Sequence, residues 1–361
     1  MADQNVSKLG IASATLKGIV AASARIWTSP FKGKNGAHTY FKDIMFSMVR
    51  AQLGNLDLAQ ERYMSPLTTP TYIKFAEANG FAPESITLPS GTQAHWIGNK
   101  NAKNVILYFH GGGYVLPASV GHLQLVQEYK DILVSQGSDT AVLLLAYDLA
   151  PEQRYPTQLR QAVECLRYLI ETEGRDAANI TLGGDSAGGN MALSVLSHLT
   201  HPHHEVSALA LPSKLHAVFL LSPWCSFNTH TPAFKTNAEK DMLDSRPLDR
   251  WSSAFLGSDS PFAGDFYSEP VNAPASWWEG AADVVDEVLI WGGGNEVLLD
   301  GIEEFARRFE KGFAGKGGKL TTVITADAAH VEMVLENILG YKQDSGTGGR
   351  TVVNNWLKAK L

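Results

Sequence analysis

The chain has 361 residues, which suits one large α/β domain with an added cap, or two domains. With 44% hydrophobic and 19% charged residues it has the composition of a soluble globular enzyme, not of a disordered or fibrous chain. A net charge of −7 argues against a nucleic-acid-binding protein, which needs a basic face. Cys165 and Cys225 are too few for a disulfide framework, so we expect two reduced packing residues in a cytoplasmic protein.

The first segment of the chain is patterned as helix. Residues 9–31 are rich in Ala, Ile and Val, but Lys17 and Arg25 interrupt them. We therefore expect an amphipathic helix that is too polar to span a membrane and is not stably inserted in one, with peripheral membrane contact as the alternative. Residues 1–5, M-A-D-Q-N, lack the basic region of a signal peptide.

Further helices are predicted before any strand. Apolar residues recur at helical spacing over 39–53, and Pro70 and Gly80 are the start and stop signals of a helix over 69–79. No strong strand signal occurs in this part of the chain. Residues 1–84 are therefore predicted to form a helical cap segment in front of a catalytic domain.

Strands and helices alternate after that segment. The pattern predicts a hairpin over 86–88 and 94–97, strands over 105–109, 140–147, 180–182, 215–221, 288–291 and 320–325, and helices over 120–136, 156–172, 187–200, 301–312 and 351–360. This alternation predicts an α/β fold with a mostly parallel central sheet and helices on both faces, formed by residues 85–225 and 281–361. Residues 226–280 are dense in Pro, Trp, Ser, Asp and Gly and are predicted to be a cap insertion over the C-terminal edge of the sheet.

The most informative stretch joins a predicted strand to a predicted helix. Residues 184–188 read G-D-S-A-G and fit G-x-S-x-G, between the strand over 180–182 and the helix over 187–200. In that context the pentapeptide predicts a nucleophile elbow, a tight turn that holds a serine at strained backbone angles with its hydroxyl above the sheet. Ser186 is therefore the candidate nucleophile.

A serine nucleophile needs a base, and the base needs an orienting acid. Of the eleven histidines, His330 follows the last predicted strand, at the sheet edge where the elbow is expected. The acid is expected on the loop after the preceding strand, where Glu296 is the first choice and Asp300 the second. The chain order Ser186, Glu296, His330 is the order that an α/β-hydrolase requires.

The other histidines have structural interpretations. His201, His203 and His204 form a tract that resembles a metal site, but it follows the far end of the elbow helix, and we interpret it as a solvated loop. We expect neither a metal nor an organic cofactor.

A glycine run follows the first long strand. His110 precedes Gly111, Gly112 and Gly113 directly after the strand over 105–109. Glycines there let the backbone approach a substrate closely with its N–H groups aimed inward. We predict that Gly111 and Gly112, with Ala187 at the start of the elbow helix, form an oxyanion hole, and that His110 anchors the loop.

Three motifs together resemble those of the hormone-sensitive-lipase-like branch of the α/β-hydrolase esterases: H-G-G-G-Y at 110–114, Y-D-L-A-P-E-Q-R-Y-P at 147–156 and G-D-S-A-G-G-N at 184–190. The resemblance covers residues 85–361. It implies an α/β-hydrolase core under a helical cap, hydrolysis of carboxylesters with short or medium acyl chains, and no cofactor. The family's acid run, D-P-L-x-D, maps onto residues 296–300, where the first residue is Glu. The runs E-P-V-N-A-P and G-G-G-N-E-V-L-L-D are similar to fungal members that deacylate sterols or secondary metabolites.

The sequence thus predicts a serine carboxylester hydrolase, an esterase or deacetylase, that acts through a Ser-His-Glu triad and an acyl-enzyme on a small to medium apolar ester. Tyr114, Asp185 and Trp224 are the candidate substrate contacts. Two alternatives stay open: a biosynthetic enzyme of this fold that performs cyclisation, epimerisation or acyl transfer, and a non-catalytic ligand-binding member of the fold. A homodimer also stays open.

Overall fold

An eight-stranded sheet organises the computed structural model, which describes residues 6–257, 264–341 and 348–361. The interpretation of residues 1–5 and the part of the predicted insertion at 258–263 lie outside the described residues. The strands are β1 (Glu84–Thr87), β2 (Gln93–Ile97), β3 (Asn104–Phe109), β4 (Thr140–Ala146), β5 (Ile180–Asp185), β6 (Leu215–Leu221), β7 (Val285–Gly293) and β8 (Lys319–Thr325).

The sheet is mostly parallel, in the order β1-β2-β4-β3-β5-β6-β7-β8. Strands β3 to β8 are parallel, and the predicted β1–β2 hairpin adds two antiparallel strands at the β4 edge. The register aligns the ends of the central strands, since Phe109 pairs with Gly184 and Leu221 pairs with both Asp185 and Trp291. The loops that leave these strands therefore meet at one edge, and the predicted α/β fold is confirmed.

Helices cover both faces of the sheet and precede it. They are α1 (Lys8–Thr28), α2 (Tyr40–Leu53), α3 (Leu58–Met64), α4 (Thr68–Ala78), α5 (Val120–Ser135), α6 (Thr157–Arg167), α7 (Ala187–Thr200), α8 (Ala233–Thr236), α9 (Ser245–Leu256), α10 (Leu299–Phe313), α11 (Glu332–Leu339) and α12 (Gly349–Lys360). The central strands are buried on both faces, which is why they read as continuous apolar runs in the sequence.

Helix α9 is absent from the predicted elements, although its ends carry ordinary helix signals. The Asp244 carboxylate accepts the N–H of Arg246 as an N-cap, and Gly257 ends the helix in the left-handed conformation. Its amphipathic pattern is hidden within a segment whose overall composition is typical of loops.

Helix α1 packs on α2 through a narrow face. Its buried residues are Ala14, Gly18 and Arg25. The Arg25 guanidinium donates to both carboxylate oxygens of Asp43 at 2.6 and 2.7 Å, and it also donates to Glu239 Oε2 at 2.8 Å. This buried ion pair ties α1 to α2 and to the segment between α8 and α9.

The remaining surface of α1 is apolar. The stretch Lys8–Phe31 is long and apolar enough to cross a membrane by length and composition, and only 17% of its most apolar part is buried. This corrects the expectation that the segment is too polar for a span, because two cations among Ala, Ile, Leu and Val leave it apolar on average. Buried core helices and signal sequences can have the same length and composition.

We predict that Arg25→Met lowers the free energy of unfolding by about 3 kcal/mol, because it leaves the Asp43 carboxylate buried without its cation. Denaturant unfolding followed by circular dichroism measures the change. Removing a cation from an exposed pair, Lys214→Ala opposite Asp286, is the control and is expected to cost no more than about 1 kcal/mol. Equal losses in the two variants would contradict a structural role for the buried pair.

Candidate active site

A strained turn holds Ser186 between β5 and α7. Its φ of 53° and ψ of −117° are unusual for a residue other than glycine. The conformation is held from both sides, because the Ser186 N–H donates to Leu221 O at 2.9 Å and the Ser186 carbonyl accepts from Trp224 N at 3.0 Å. A Cβ at Gly188 would lie 1.9 Å from Phe109 O, so only glycine lets α7 start this close to β3. The predicted nucleophile elbow thus has the required backbone geometry.

Ser186 and His330 line the same cavity, which has a volume of about 740 Å³. Gly112 and Gly113 also line it. Its walls are largely apolar and come from separate parts of the chain: α4, the segment after α8, α9 and α11. Representative wall residues are Phe75, Leu243, Trp251, Val334 and Leu335.

His330 contacts a buried carboxylate at the same edge. Its Nδ1 donates to Glu296 Oε2 at 2.8 Å, and Glu296 is fully buried. The other oxygen, Oε1, accepts the hydroxyl of Ser222 at 2.9 Å and the N–H of Gly293. Asp300 instead accepts the N–H of Ala233 at 2.7 Å, where α8 begins. The structure therefore brings Glu296, and not Asp300, to the histidine.

The charges around His330 favour its protonated form. Burial alone would lower its pKa, but the hydrogen bond to Glu296 and the negative charges of Glu296, Asp241 and Asp185 outweigh burial and raise the pKa of His330 above its ordinary value. An imidazole with a raised pKa accepts a proton more readily. The site thus stabilises the imidazolium that a general base becomes when it takes a proton.

A second buried carboxylate, Asp241, holds the backbone of the loops that carry Glu296 and His330. Its Oδ2 accepts the N–H of Val297 at 2.7 Å, and its Oδ1 accepts the N–H groups of Met242 at 2.7 Å and His330 at 3.2 Å. Burial raises the pKa of Asp241 to about 6, although the positive charge of His330 opposes that shift. Asp241 lies between α8 and α9, so the predicted insertion fixes the loops that carry the acid and the base.

The glycine loop is anchored by the acid of the elbow. The Gly111 N–H donates to Asp185 Oδ1 at 3.0 Å, and Tyr108 OH donates to the same oxygen at 2.9 Å. The N–H of Gly111 is therefore engaged, which corrects the prediction that it is an oxyanion donor. Gly112 and Gly113 follow it and line the cavity. Ala187 is the first residue of α7 and directly follows Ser186.

Asp185 stays ionised in this buried position. Burial alone would raise its pKa, but His122 and the hydroxyl of Tyr108 outweigh burial and lower the pKa of Asp185. The His122 Nε2 lies 3.3 Å from Asp185 Oδ2, and the His122 Nδ1 accepts the N–H of Ser119 at 3.1 Å. His122 therefore donates through Nε2, a tautomer that suits the ionised carboxylate.

Helix α9 covers the glycine loop. The ring of Trp251 lies so close that a Cβ at Gly113 would be 2.4 Å from it. The indole N–H of Trp251 donates to Glu61 Oε2 at 2.9 Å, and the Arg250 guanidinium pairs with the other oxygen of Glu61. Helix α3, which carries Glu61, thus fixes the cap tryptophan over the cavity.

The three candidate substrate contacts have other roles. Tyr114 is buried, stacks on Phe255 with ring centroids 3.8 Å apart, and donates its hydroxyl to Asn190. Trp224 is buried against other aromatic rings. Neither lines the cavity, because both point into the core, and this corrects their assignment as substrate contacts. Asp185 does line the cavity, but its Oδ1 accepts the N–H of Gly111 and its Oδ2 faces His122.

Several other histidines and both cysteines are packed within the fold. His110 stacks on Tyr147, and burial lowers the pKa of His110 to about 3. In the tract predicted to be a solvated loop, His204 is exposed, but His201 stacks on Trp277 and His203 is buried. Across residues 6–257, 264–341 and 348–361, no group of three or more His, Cys, Asp or Glu is arranged to hold a metal ion. Both cysteines are free and buried.

Sequence reasoning misses Ser222 and Asp241. Ser222 follows β6 directly and has a φ of 44°, so its position after a buried strand and before Pro223 is a signal that could have indicated it. Asp241 carries no local signal. Its partners Val297 and His330 lie 56 and 89 residues away, and such contacts are set by tertiary structure.

Residues 106–333 match a family described as having the α/β-hydrolase fold. An acetyl-hydrolase from Streptomyces hygroscopicus is 29% identical over 226 residues, which cover 61% of this chain and 67% of the relative. A putative steryl acetyl hydrolase from Schizosaccharomyces pombe is 28% identical over 220 residues, which cover 57% of this chain and 55% of the relative. The matched segments thus span between about half and two thirds of these curated relatives.

The structure is similar to that of an esterase/lipase from an uncultured bacterium, with a TM-score of 0.59, 26% identity, and coverage of 77% of this chain and 84% of that one. A thermostable esterase from Pseudomonas putida shares the fold at 22% identity, with a TM-score of 0.65 and coverage of 86% and 92%. The predicted resemblance to esterases of this fold is confirmed. The chain belongs to the α/β-hydrolase fold family.

Proposed function

We propose that the protein is a serine carboxylester hydrolase in which Ser186 is the nucleophile, His330 the base and Glu296 the orienting acid. The observation that carries the proposal is the 2.8 Å hydrogen bond from His330 Nδ1 to Glu296, made at a cavity that a strained Ser186 also lines. A buried carboxylate in that position fixes the tautomer that leaves Nε2 free to accept a proton.

The reaction proceeds through an acyl-enzyme. Ser186 Oγ attacks the ester carbonyl while His330 Nε2 takes its proton, and the N–H groups of Gly112, Gly113 and Ala187 stabilise the oxyanion. His330 then gives the proton to the departing alcohol oxygen. Water attacks the acyl-enzyme, His330 takes a proton from it, and collapse releases the carboxylic acid and restores the Ser186 hydroxyl. Glu296 balances the charge on the imidazolium in both steps.

The substrate we propose is a small to medium apolar ester. The apolar walls and the volume of about 740 Å³ suit a ligand of that class. Two relatives are named an acetyl-hydrolase and a putative steryl acetyl hydrolase, which supports a short acyl group on an apolar alcohol. We therefore expect esters with a charged or strongly polar acyl chain to be poor substrates, because the apolar walls offer such a chain few hydrogen-bond partners.

Removal of the nucleophile tests the mechanism. We expect Ser186→Ala to lower kcat for short p-nitrophenyl esters by about 10⁴-fold or more and to abolish labelling by a fluorophosphonate. Circular dichroism checks that the variant is folded. Near-normal turnover by the folded variant would rule out the serine mechanism.

The choice of acid is tested by a matched pair of amides. Glu296→Gln is expected to lower kcat by about 10³-fold, because the amide no longer orients His330 or balances its charge. Asp300→Asn keeps an acceptor for the N–H of Ala233 and is expected to change kcat less than about tenfold. Steady-state kinetics on the same ester measures both. The opposite ranking would assign the acid to Asp300.

The charges around His330 set the pH dependence. Only the neutral imidazole is a base, so kcat/KM is expected to fall on the acid side with a midpoint above the ordinary pKa of histidine. Asp241→Asn removes one of the charges that raise the pKa of His330. We expect this variant to have a midpoint at lower pH and a reduced kcat.

Asp244→Asn is the control for the pH profile, since this carboxylate lies three residues further along and caps α9. It is expected to leave the midpoint unchanged. A midpoint that does not move in Asp241→Asn, or that moves to higher pH, would contradict the electrostatic role of Asp241.

A further inference from the structure

Exposed apolar side chains are concentrated in the first part of the chain. Of the seventeen large apolar side chains exposed in the described ranges, thirteen precede residue 84. On α1 and just beyond it, five of them form an apolar stripe: Leu9, Leu16, Val20, Trp27 and Phe31. Their exposures are 82, 61, 58, 78 and 89%. A contiguous apolar surface of this kind marks an interaction site.

The spacing places the stripe on one face of the helix. Steps of seven, four, seven and four residues return to the same side at 3.6 residues per turn. The opposite face carries Ala14, Gly18 and Arg25, which are buried. A Cβ at Gly18 would lie 3.0 Å from Met48 O, so α1 and α2 are in close contact along that face. The stripe is thus the side of α1 that points away from the protein.

The charge around the stripe is positive. Residues 6–42 contain six Lys or Arg and no Asp or Glu, in a chain whose net charge is −7. Three of these cations, Arg25, Lys32 and Lys42, pair with carboxylates of the fold. For Lys8 and Lys34 the described residues provide no carboxylate partner, and Lys17 donates to the side-chain oxygen of Asn55 at 2.6 Å, which carries no charge. At about 100° per residue, Lys8 and Lys17 lie on the two sides of the stripe.

We propose that α1 docks on an anionic lipid surface, with the apolar stripe in the acyl–headgroup boundary and Lys8, Lys17 and Lys34 among the headgroups. An apolar face with a basic border is the pattern of helices that lie in the membrane interface. Trp27 suits this position, because its ring is apolar and its indole N–H stays near water. Anionic headgroups attract each lysine that approaches them.

The packing of α1 favours lying on the membrane over crossing it. A span would have to expose the Arg25–Asp43 pair, whose side chains are 6% and 1% exposed, to lipid or break it. Charge disfavours a second copy of the chain as the occupant. A twofold pairing of stripes would bring the lysine borders of the two copies together without any carboxylate between them.

Vesicle flotation of the full chain tests the proposal, with phosphatidylcholine vesicles that contain or lack phosphatidylserine. We expect binding to the anionic vesicles, weakened by added salt and by omission of phosphatidylserine. The paired change Val20→Glu and Trp27→Glu is expected to weaken binding by at least about tenfold. Hydrolysis of a soluble p-nitrophenyl ester should be the same as for the unchanged chain, which shows that the variant is folded.

The control is Val134→Glu, because Val134 is 49% exposed at the far end of α5 and lies outside the stripe. It is expected to bind vesicles like the unchanged chain. Three results would overturn the proposal. The first is that the unchanged chain binds neither kind of vesicle, and the second is that the variant with both Val20→Glu and Trp27→Glu binds as well as the unchanged chain. The third is that the bound chain resists alkaline extraction, which indicates a membrane span. Self-association that the paired change abolishes, without vesicle binding, would assign the stripe to a second copy.

Discussion

Two buried carboxylates, Glu296 and Asp241, contact His330 and hold it in place at the sheet edge where the candidate active site lies. Glu296 holds the ring of His330 through Nδ1, and Asp241 holds the backbone of the loops on which both residues lie. Burial of two like charges is unfavourable unless each is hydrogen-bonded and a cation is near. His330 becomes that cation when it accepts a proton. The same electrostatic arrangement that stabilises the loops therefore prepares the histidine to accept a proton.

A second carboxylate network positions the opposite side of the cavity. Asp185 immediately precedes the strained serine and holds the glycine loop through Gly111, while His122 and Tyr108 satisfy its other lone pairs. The N–H of Gly111 is used for this anchoring, and the following two glycines are left facing the cavity. Gly111 thus anchors the loop to Asp185, whereas Gly112 and Gly113 line the cavity. The difference depends on which N–H points at the buried carboxylate.

The parts of the chain outside the sheet serve the cavity in different ways. Helix α9 brings Trp251 over the glycine loop, and α3 fixes that ring through Glu61. Asp241 reaches the acid and base from the segment between α8 and α9. Helix α1 makes no such contribution: it buries a narrow face and leaves its apolar side outward. Its sequence is better explained by an external apolar surface than by packing.

The sequence by itself determined the sheet, the tight turn at Ser186 and the chain order of the candidate nucleophile, acid and base, because each depends on local patterns: apolar runs, glycines at a tight turn, and polar residues directly after strands. Only the tertiary structure shows that Glu296, and not Asp300, contacts His330. It shows further that the N–H of Gly111 donates to Asp185 and that Tyr114 and Trp224 lie in the core. It also brought in Asp241, which contacts residues far along the chain. These outcomes depend on which distant groups meet, and hydrogen-bond direction and burial are settled only when the strands align their loops at one edge.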